Sequence, residues 1–282
     1  MNYRHAFHAG NFADVFKHAA LARIIAHLKQ KPAAFRVIDT HAGAGQYDLA
    51  GPEASRTGEW RDGIGKLAGA ALAPAVRDLL APYLDAVASF NLGPALQVYP
   101  GSPALLRAWL RPHDRLVVCE REPAAAHALA GRMRADRRVK AVAIDGYMAL
   151  NAYVPPPERR GLVLIDPPFE QADEFDRLAQ ALAGAHRKWP TGSYMLWYPV
   201  KDAGETAAFG RRLTRAGIAR ILRAEVELAA RGEDRLRGSG LIIVNPPWTL
   251  PEELGVLLPA LAQVLGGAPH GGVRVDWLAG EK

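Results

Sequence analysis

Four short apolar runs along this chain end in an acid. Phe35-Arg-Val-Ile-Asp39, Arg115-Leu-Val-Val-Cys-Glu120, Lys140-Ala-Val-Ala-Ile-Asp145 and Gly161-Leu-Val-Leu-Ile-Asp166 each read as a buried strand that ends on a carboxylate. Between and beyond them, apolar residues recur at helical spacing over 12–28, 104–111, 123–135, 174–188, 203–216 and 252–265. Further strands are predicted over 193–200, 218–228, 240–244 and 273–278. Strands alternating with helices point to an α/β fold with a mostly parallel, Rossmann-like sheet, and ligands of such sheets collect at the carboxyl ends of the strands. The recurring acids would therefore face one crevice.

Residues 47–99 break the rhythm. In a dinucleotide-type sheet the acid of the second strand comes about 20 residues after the glycine turn. Here an Ala- and Leu-rich stretch intervenes, with helical runs at 62–68 and 75–88 separated by Gly and Pro. We read residues 1–46 and 100–282 as the core domain and 47–99 as an inserted, mostly helical subdomain. Within it Arg56-Thr-Gly-Glu-Trp60-Arg61 reads first as solvated surface and second as a face toward substrate.

Local signals place candidate residues around the crevice. Asn11 suits an N-cap for the helix that precedes the first strand, and Lys17 and His18 lie together on that helix. Thr40-His-Ala-Gly43-Ala-Gly45 is a glycine-rich turn after the first strand, short of a full G-x-G-x-x-G, where the backbone can approach a ligand closely. His41 would contact a cofactor or cap the turn. Ser102 followed by Pro103 reads as an N-cap and first helical residue, its helix aiming a positive end at a carboxylate. Glu120, at its strand end, can accept both hydroxyls of a ribose, and Asp145 beside the flexible Gly146 could hold an adenine amino group.

The stretch Asp166-Pro-Pro-Phe169 carries the chemistry. Two prolines fix two φ angles and remove two donors, leaving carbonyl oxygens free to accept. An exocyclic amine on a nucleobase is a poor nucleophile because its lone pair is delocalised into the ring. Asp166 and the carbonyl of Pro167 could accept its N–H hydrogens, while Phe169 offers a stacking face worth about 1–3 kcal/mol per base. The stretch resembles the Asp-Pro-Pro-Tyr/Phe signature of amino-methyltransferases dependent on S-adenosylmethionine. Asn245-Pro-Pro-Trp248 has the same form, but it lies two strands later and reads as a strand-terminating turn, with Trp248 as a possible border of the substrate site.

Composition adds bounds. The 282 residues are 49% hydrophobic, enough for a large core, and Lys+Arg 35 against Asp+Glu 29 leaves +6, a surplus compatible with a polyanion. The lone Cys119, inside an apolar run, excludes an intrachain disulfide and reads as a packing thiol in a reducing compartment. The start lacks an apolar leader and no run reaches the roughly 20 apolar residues of a membrane span, so a cytoplasmic protein with no membrane partner is expected. Five histidines among the first 41 residues lack regular ligand spacing, and no metal is expected. Tyr3 and Arg4 form an aromatic-basic tip suited to nucleic acid. The arginines of Ala230-Arg231-Gly-Glu-Asp-Arg235-Leu-Arg237-Gly238 suit a phosphate contact or a solvated hairpin loop equally. The basic run 132–140 is either a solvated face or part of an RNA track.

Taken together, Tyr3-Arg4-His5-x-Phe7-His8-Ala-Gly-Asn11, Asp39-Thr-His-Ala-Gly-Ala-Gly45, Pro100-Gly-Ser-Pro103, Asp166-Pro-Pro-Phe169, Leu196-Trp-Tyr-Pro199 and Asn245-Pro-Pro-Trp248 closely resemble the ribosomal RNA large subunit methyltransferase J family over essentially the whole chain. The resemblance implies a class I S-adenosylmethionine-dependent methyltransferase sheet with an inserted helical subdomain, N6-methylation of one adenine in 23S rRNA, and a monomer. It implies a methyl-donor site formed by Lys17, His18, His41, Ser102, Glu120, Asp145, Gly146 and Asp166. Asp166 would be the catalytic acceptor, assisted by Pro167 and Phe169, and Tyr3 and Arg4 would touch RNA. The family commonly has Tyr where Phe169 stands, so stacking survives here but any hydroxyl contact does not. Two other functions share parts of this pattern: methylation of DNA adenine or a protein glutamine, and RNA binding without catalysis.

Overall fold

The computed structural model describes residues 4–93, 95–228, 236, 238–266 and 272–280. A single 3-10 turn, His5–Phe7, leads into α1 (Phe12–Lys29), which precedes β1 (Arg36–Asp39). Residues 46–100 run through β2 (Gln46–Asp48), α2 (Pro52–Thr57), α3 (Lys66–Ala68), α4 (Pro74–Ser89) and β3 (Val98–Pro100). Then come α5 (Ser102–Trp109), β4 (Arg115–Glu120), α6 (Pro123–Met133), β5 (Val139–Ala143), α7 (Gly146–Tyr153) and β6 (Gly161–Ile165). The chain closes with α8 (Glu174–Lys188), β7 (Ser193–Val200), α9 (Ala203–Arg215), β8 (Ile221–Glu227), β9 (Gly238–Val244), α10 (Leu250–Gly266) and β10 (Val273–Ala279).

The main sheet has the order β10-β8-β9-β7-β6-β1-β4-β5. From β7 to β5 the pairs are parallel, and β7-β9, β9-β8 and β8-β10 are antiparallel. The chain runs outward from β1 through β4 to β5, then crosses back to place β6 on the other side of β1. The strand order therefore reverses beside β1, the position where an open sheet leaves a crevice. Asp39 is level with Leu164 of β6, two residues before Asp166, so both acids stand at that reversal.

Alternation within the central strands explains why both faces are covered. Val37, Leu116, Val118, Leu162 and Leu164 belong to one apolar cluster, with α1, α4, α5 and α10. Ile38, Val117, Cys119, Val163 and Ile165 point to the other, with α7, α8 and α9. The packing thiol expected of Cys119 is fully buried there. Helix α1 is buried on nearly every side, which fits its lack of a polar face, yet it carries Asp14, Lys17 and His18 inward.

Residues 46–48 and 98–100 form a two-stranded antiparallel ribbon, β2-β3, which the mostly helical reading had not anticipated. Its helical run near Asp62 opens with a wide turn at Arg61–Gly65, kinked at Gly63 (φ −101°, ψ −109°). A Cβ on Gly63 would lie 2.0 Å from the carbonyl oxygen of Gly10, so the close crossing of α1's entry requires glycine. Ile64, Leu80, Tyr83 and Tyr99 share the apolar cluster of α1.

Two local expectations are corrected. Gly101, not Ser102, is the N-cap of α5, so Ser102 is its first helical residue and its hydroxyl is free to bond elsewhere. Asp145 caps a helix, α7, that the periodicity had not revealed between β5 and the prolines 155–157.

Candidate active site

A cavity of about 640 Å³ opens at the carboxyl ends of β1, β4 and β6, and one of about 430 Å³ lies beside the end of β6 and against β7. His5, Lys17, Asp166, Pro168 and Glu170 line both, so the two share a wall. All eight residues read from the sequence as a donor site line the larger one: Lys17, His18, His41, Ser102, Glu120, Asp145, Gly146 and Asp166. Arg4 and Pro167 also line it. The smaller is more aromatic, with Phe12, Phe169 and Trp197 in its wall.

The glycine turn after β1 is held by the acid of β4. Glu120 accepts from Gly43 N at 2.8 Å through one carboxylate oxygen, and from Arg121 N (2.8 Å) and Glu122 N (2.7 Å) through the other. Gly43 and Gly45 take φ of +61° and +86°, which other residues adopt only with strain. Asp145 Oδ1 accepts from Tyr147 N and Met148 N as the cap of α7, and its Oδ2 pairs with Arg121 at 3.4 Å. A Cβ on Gly146 would come within 2.5 Å of the His41 ring and of Thr40 O, so this glycine lets β5's end pack against the turn.

His18 is buried and His41 half-buried, and desolvation disfavours the charged form of both rings. Burial pushes His41 down to about 4 against the opposing pull of Asp166 and Asp145. Thr40 Oγ1 gives its proton to Leu164 O at 2.9 Å, so the 2.8 Å contact with His41 Nδ1 has the ring donating, which leaves Nε2 as the acceptor of the neutral ring. Burial likewise lowers His18 to about 3. Its Nδ1 lies 2.7 Å from Tyr99 Oη, which in turn lies 2.9 Å from Tyr83 Oη. His18 Nε2 is buried and has no hydrogen-bond partner among the described residues.

At the shared wall, Lys17 Nζ donates to Asp166 Oδ2 at 2.5 Å and to Asp14 Oδ1 at 2.8 Å. Burial alone would lower the Lys17 ammonium's pKa, but Asp14 and then Asp166 outweigh it and raise the pKa. Asp14 Oδ2 also lies 3.0 Å from His5 Nε2, and Glu59 sits 3.1 Å from His8 Nδ1. The two early histidines thus have carboxylate partners that sequence spacing did not expose. Asp39 is fully buried and accepts from Ser102 Oγ at 2.6 Å.

Beyond Asp166 the chain turns sharply. Phe169 has φ +49°, a left-handed conformation that costs a bulky residue roughly 1–2 kcal/mol. Edge contacts with Phe175 (4.9 Å between centroids) and Trp197 (5.7 Å) hold it there, at the wall of the smaller cavity. Trp197 was part of a sequence motif but had no assigned role, and only the pairing of β7 beside β6 reveals its position.

The second Asn-Pro-Pro stretch is a structural turn. Asn245 Nδ2 donates to the carbonyls of Pro190 and Gly192, both at 2.8 Å, and closes β9 onto the loop before β7. Trp248 is 79% exposed and lines neither cavity, so it does not border the site. Arg4 sits at the rim of the larger cavity, ion-paired with Glu53 at 2.6 Å. Tyr3 and the arginines Arg231, Arg235 and Arg237 lie outside the described residues. No described helix is long and apolar enough to cross a membrane.

The residues of the larger cavity suit an adenosyl amino acid. A glycine turn permits close backbone approach and a strand-end carboxylate stands at Glu120. The mostly parallel sheet and its order of strands are those of a class I S-adenosylmethionine-dependent methyltransferase.

Comparison with known proteins gives the particular family. Residues 32–279 match the family described as ribosomal RNA large subunit methyltransferase D, RlmJ. The chain is 39% identical to ribosomal RNA large subunit methyltransferase J of Escherichia coli K12 over 284 residues, and 37% identical to the Haemophilus influenzae protein of the same name over 285, each match covering both chains fully. A crystal structure of protein LPL1258 from Legionella pneumophila superposes with a TM-score of 0.86 at 33% identity, covering 96% of this chain and 98% of that one. The chain belongs to the ribosomal RNA large subunit methyltransferase J family.

Proposed function

We propose that this enzyme transfers a methyl group from S-adenosylmethionine to N6 of a single adenine in 23S rRNA. The single observation that carries this reading is the place of Asp166, on the wall common to a polar, acid-lined cavity and an aromatic one. The larger cavity would take the methyl donor and the smaller the target base. The relatives' names support ribosomal RNA as the substrate.

S-Adenosylmethionine supplies an electrophilic methyl group on a sulfonium. The chain's own part is positioning and hydrogen-bond acceptance. Asp166 Oδ2 is taken by Lys17, which leaves Oδ1 to accept one N6 hydrogen, and the carbonyl of Pro167 takes the other. Phe169 stacks on the base, which must leave its helical stack to enter so deep a pocket. With acceptors in place no metal ion is called for. Residues 47–99 act as an inserted unit that, with the tip at Tyr3 and Arg4, meets the RNA. The enzyme works in the cytoplasm as a monomer.

Incubation with labelled methyl donor and separate pools of unmodified 23S rRNA, DNA and protein tests the substrate. Label is expected in the rRNA pool alone, as N6-methyladenosine at one position. Asp166→Ala is expected to keep part of its donor binding and to lose turnover at least 100-fold, the order of effect expected when positioning is lost. Undiminished transfer by that variant would remove Asp166 from the chemistry.

A further inference from the structure

Asp14 has no role in the reading above, yet both its oxygens are committed to the site. It lies in the first turn of α1 and is 2% exposed. Oδ1 accepts from Lys17 Nζ at 2.8 Å, and Oδ2 accepts from Gly10 N at 2.9 Å and lies 3.0 Å from His5 Nε2. The Gly10 bond ties the carboxylate to the turn that enters α1. Lys17 and His5 both line the wall between the cavities. One buried group thus fixes two side chains of that wall, and Lys17 carries the connection on to Asp166.

We infer that Asp14 is a positioning residue for methyl transfer, holding Lys17 and His5 at the junction of the cavities and offsetting the ammonium charge beside a cationic donor. The inference rests on the reading that the larger cavity binds the donor and that Asp166 receives the amine. Lys17 and Asp166 alone sum to zero charge, and Asp14 makes the trio net negative. At 2% exposure its charge is poorly screened by salt. Lysine's stem is flexible, so Asp14 also restrains Nζ from swinging onto both oxygens of Asp166 and blocking the amine's acceptor.

Charge provides a test that a purely structural role would not pass. S-Adenosylmethionine is a sulfonium cation, whereas S-adenosylhomocysteine is the same molecule with a neutral thioether. Calorimetry on the full chain compares the two ligands in wild type and Asp14→Asn, a change that keeps the shape. Affinity for the methylated ligand is expected to fall about ten-fold, with less than about three-fold change for the thioether. In turnover assays kcat is expected to fall about ten-fold or more, with KM for rRNA nearly unchanged. Equal loss of both ligands, or an unchanged ratio, overturns the inference. If Asp14→Asn does not fold, Lys17→Met in the same chain removes the stranded ammonium. The affinity ratio of Asp14→Asn/Lys17→Met against Lys17→Met is then expected to show the same selective loss, and an unchanged ratio overturns the inference there too. The calorimetric comparisons involve no RNA, so their outcome is separate from whether Asp166→Ala retains turnover.

Discussion

Replacing Asp39 by Asn is expected to make the protein more stable at pH 8 than at pH 4, relative to its parent. Asp39 is fully buried at the end of β1. Its Oδ2 accepts from Ser102 Oγ at 2.6 Å, and its Oδ1 has no hydrogen-bond partner among the described residues. Burial raises its pKa from 3.8 to about 7; the Ser102 bond opposes the rise and nearby Asp166 adds to it. A carboxyl whose folded pKa is raised contributes its stability below the unfolded value and loses it as pH climbs through the folded one. Between pH 3.8 and about 7 the unfolded chain releases a proton that the folded chain retains. At about 1.4 kcal/mol per pH unit the loss reaches about 4 kcal/mol by pH 8. Asn cannot ionise, and its Oδ1 can still accept from Ser102, so it stands in for the protonated acid. Urea unfolding of both proteins without ligand measures the difference. Near pH 4 the two should agree within about 1 kcal/mol, and by pH 8 the variant should lead by up to about 4 kcal/mol. A difference that does not vary with pH would mean that Asp39 ionises in the folded protein as it would in water, and the reasoning from burial would fail.

Two further substitutions separate the cavities. Gly146→Ala would set a methyl 2.5 Å from the His41 ring and from Thr40 O, so donor affinity by calorimetry is expected to drop at least about ten-fold, and retention of wild-type affinity would contradict the packing described. Phe169→Ala removes the stacking face, worth about 1–3 kcal/mol, and is expected to raise KM for rRNA about 5- to 100-fold with donor affinity unchanged. An unaltered KM would take Phe169 out of base recognition.

Much of this protein was legible in the chain itself, for a physical reason: periodicity and turn chemistry are local. Four apolar runs ending in Asp39, Glu120, Asp145 and Asp166 did become β1, β4, β5 and β6 with the acids at one edge, because period-two burial and a terminating turn need only neighbouring residues. The same locality misled where one residue decides a cap. Ser102 resembled an N-cap, but Gly101 holds that position because Ser102 turns its hydroxyl to Asp39, a partner 63 residues away. Asp14 and Lys17 are three apart on one helix and their pairing could have been read from spacing. That Lys17 also reaches Asp166, 149 residues on, could not. The Asn-Pro-Pro and Asp-Pro-Pro stretches look alike in sequence. Only the folding of β9 antiparallel to β7, on the far side from β1, turns Asn245 into a tie for a loop and leaves Asp166 at the reversal of strand order. Composition and pattern determined which elements form and which residues end them. Tertiary packing decided which ends meet, because burial, hydrogen-bond satisfaction and charge pairing depend on neighbours distant in the chain.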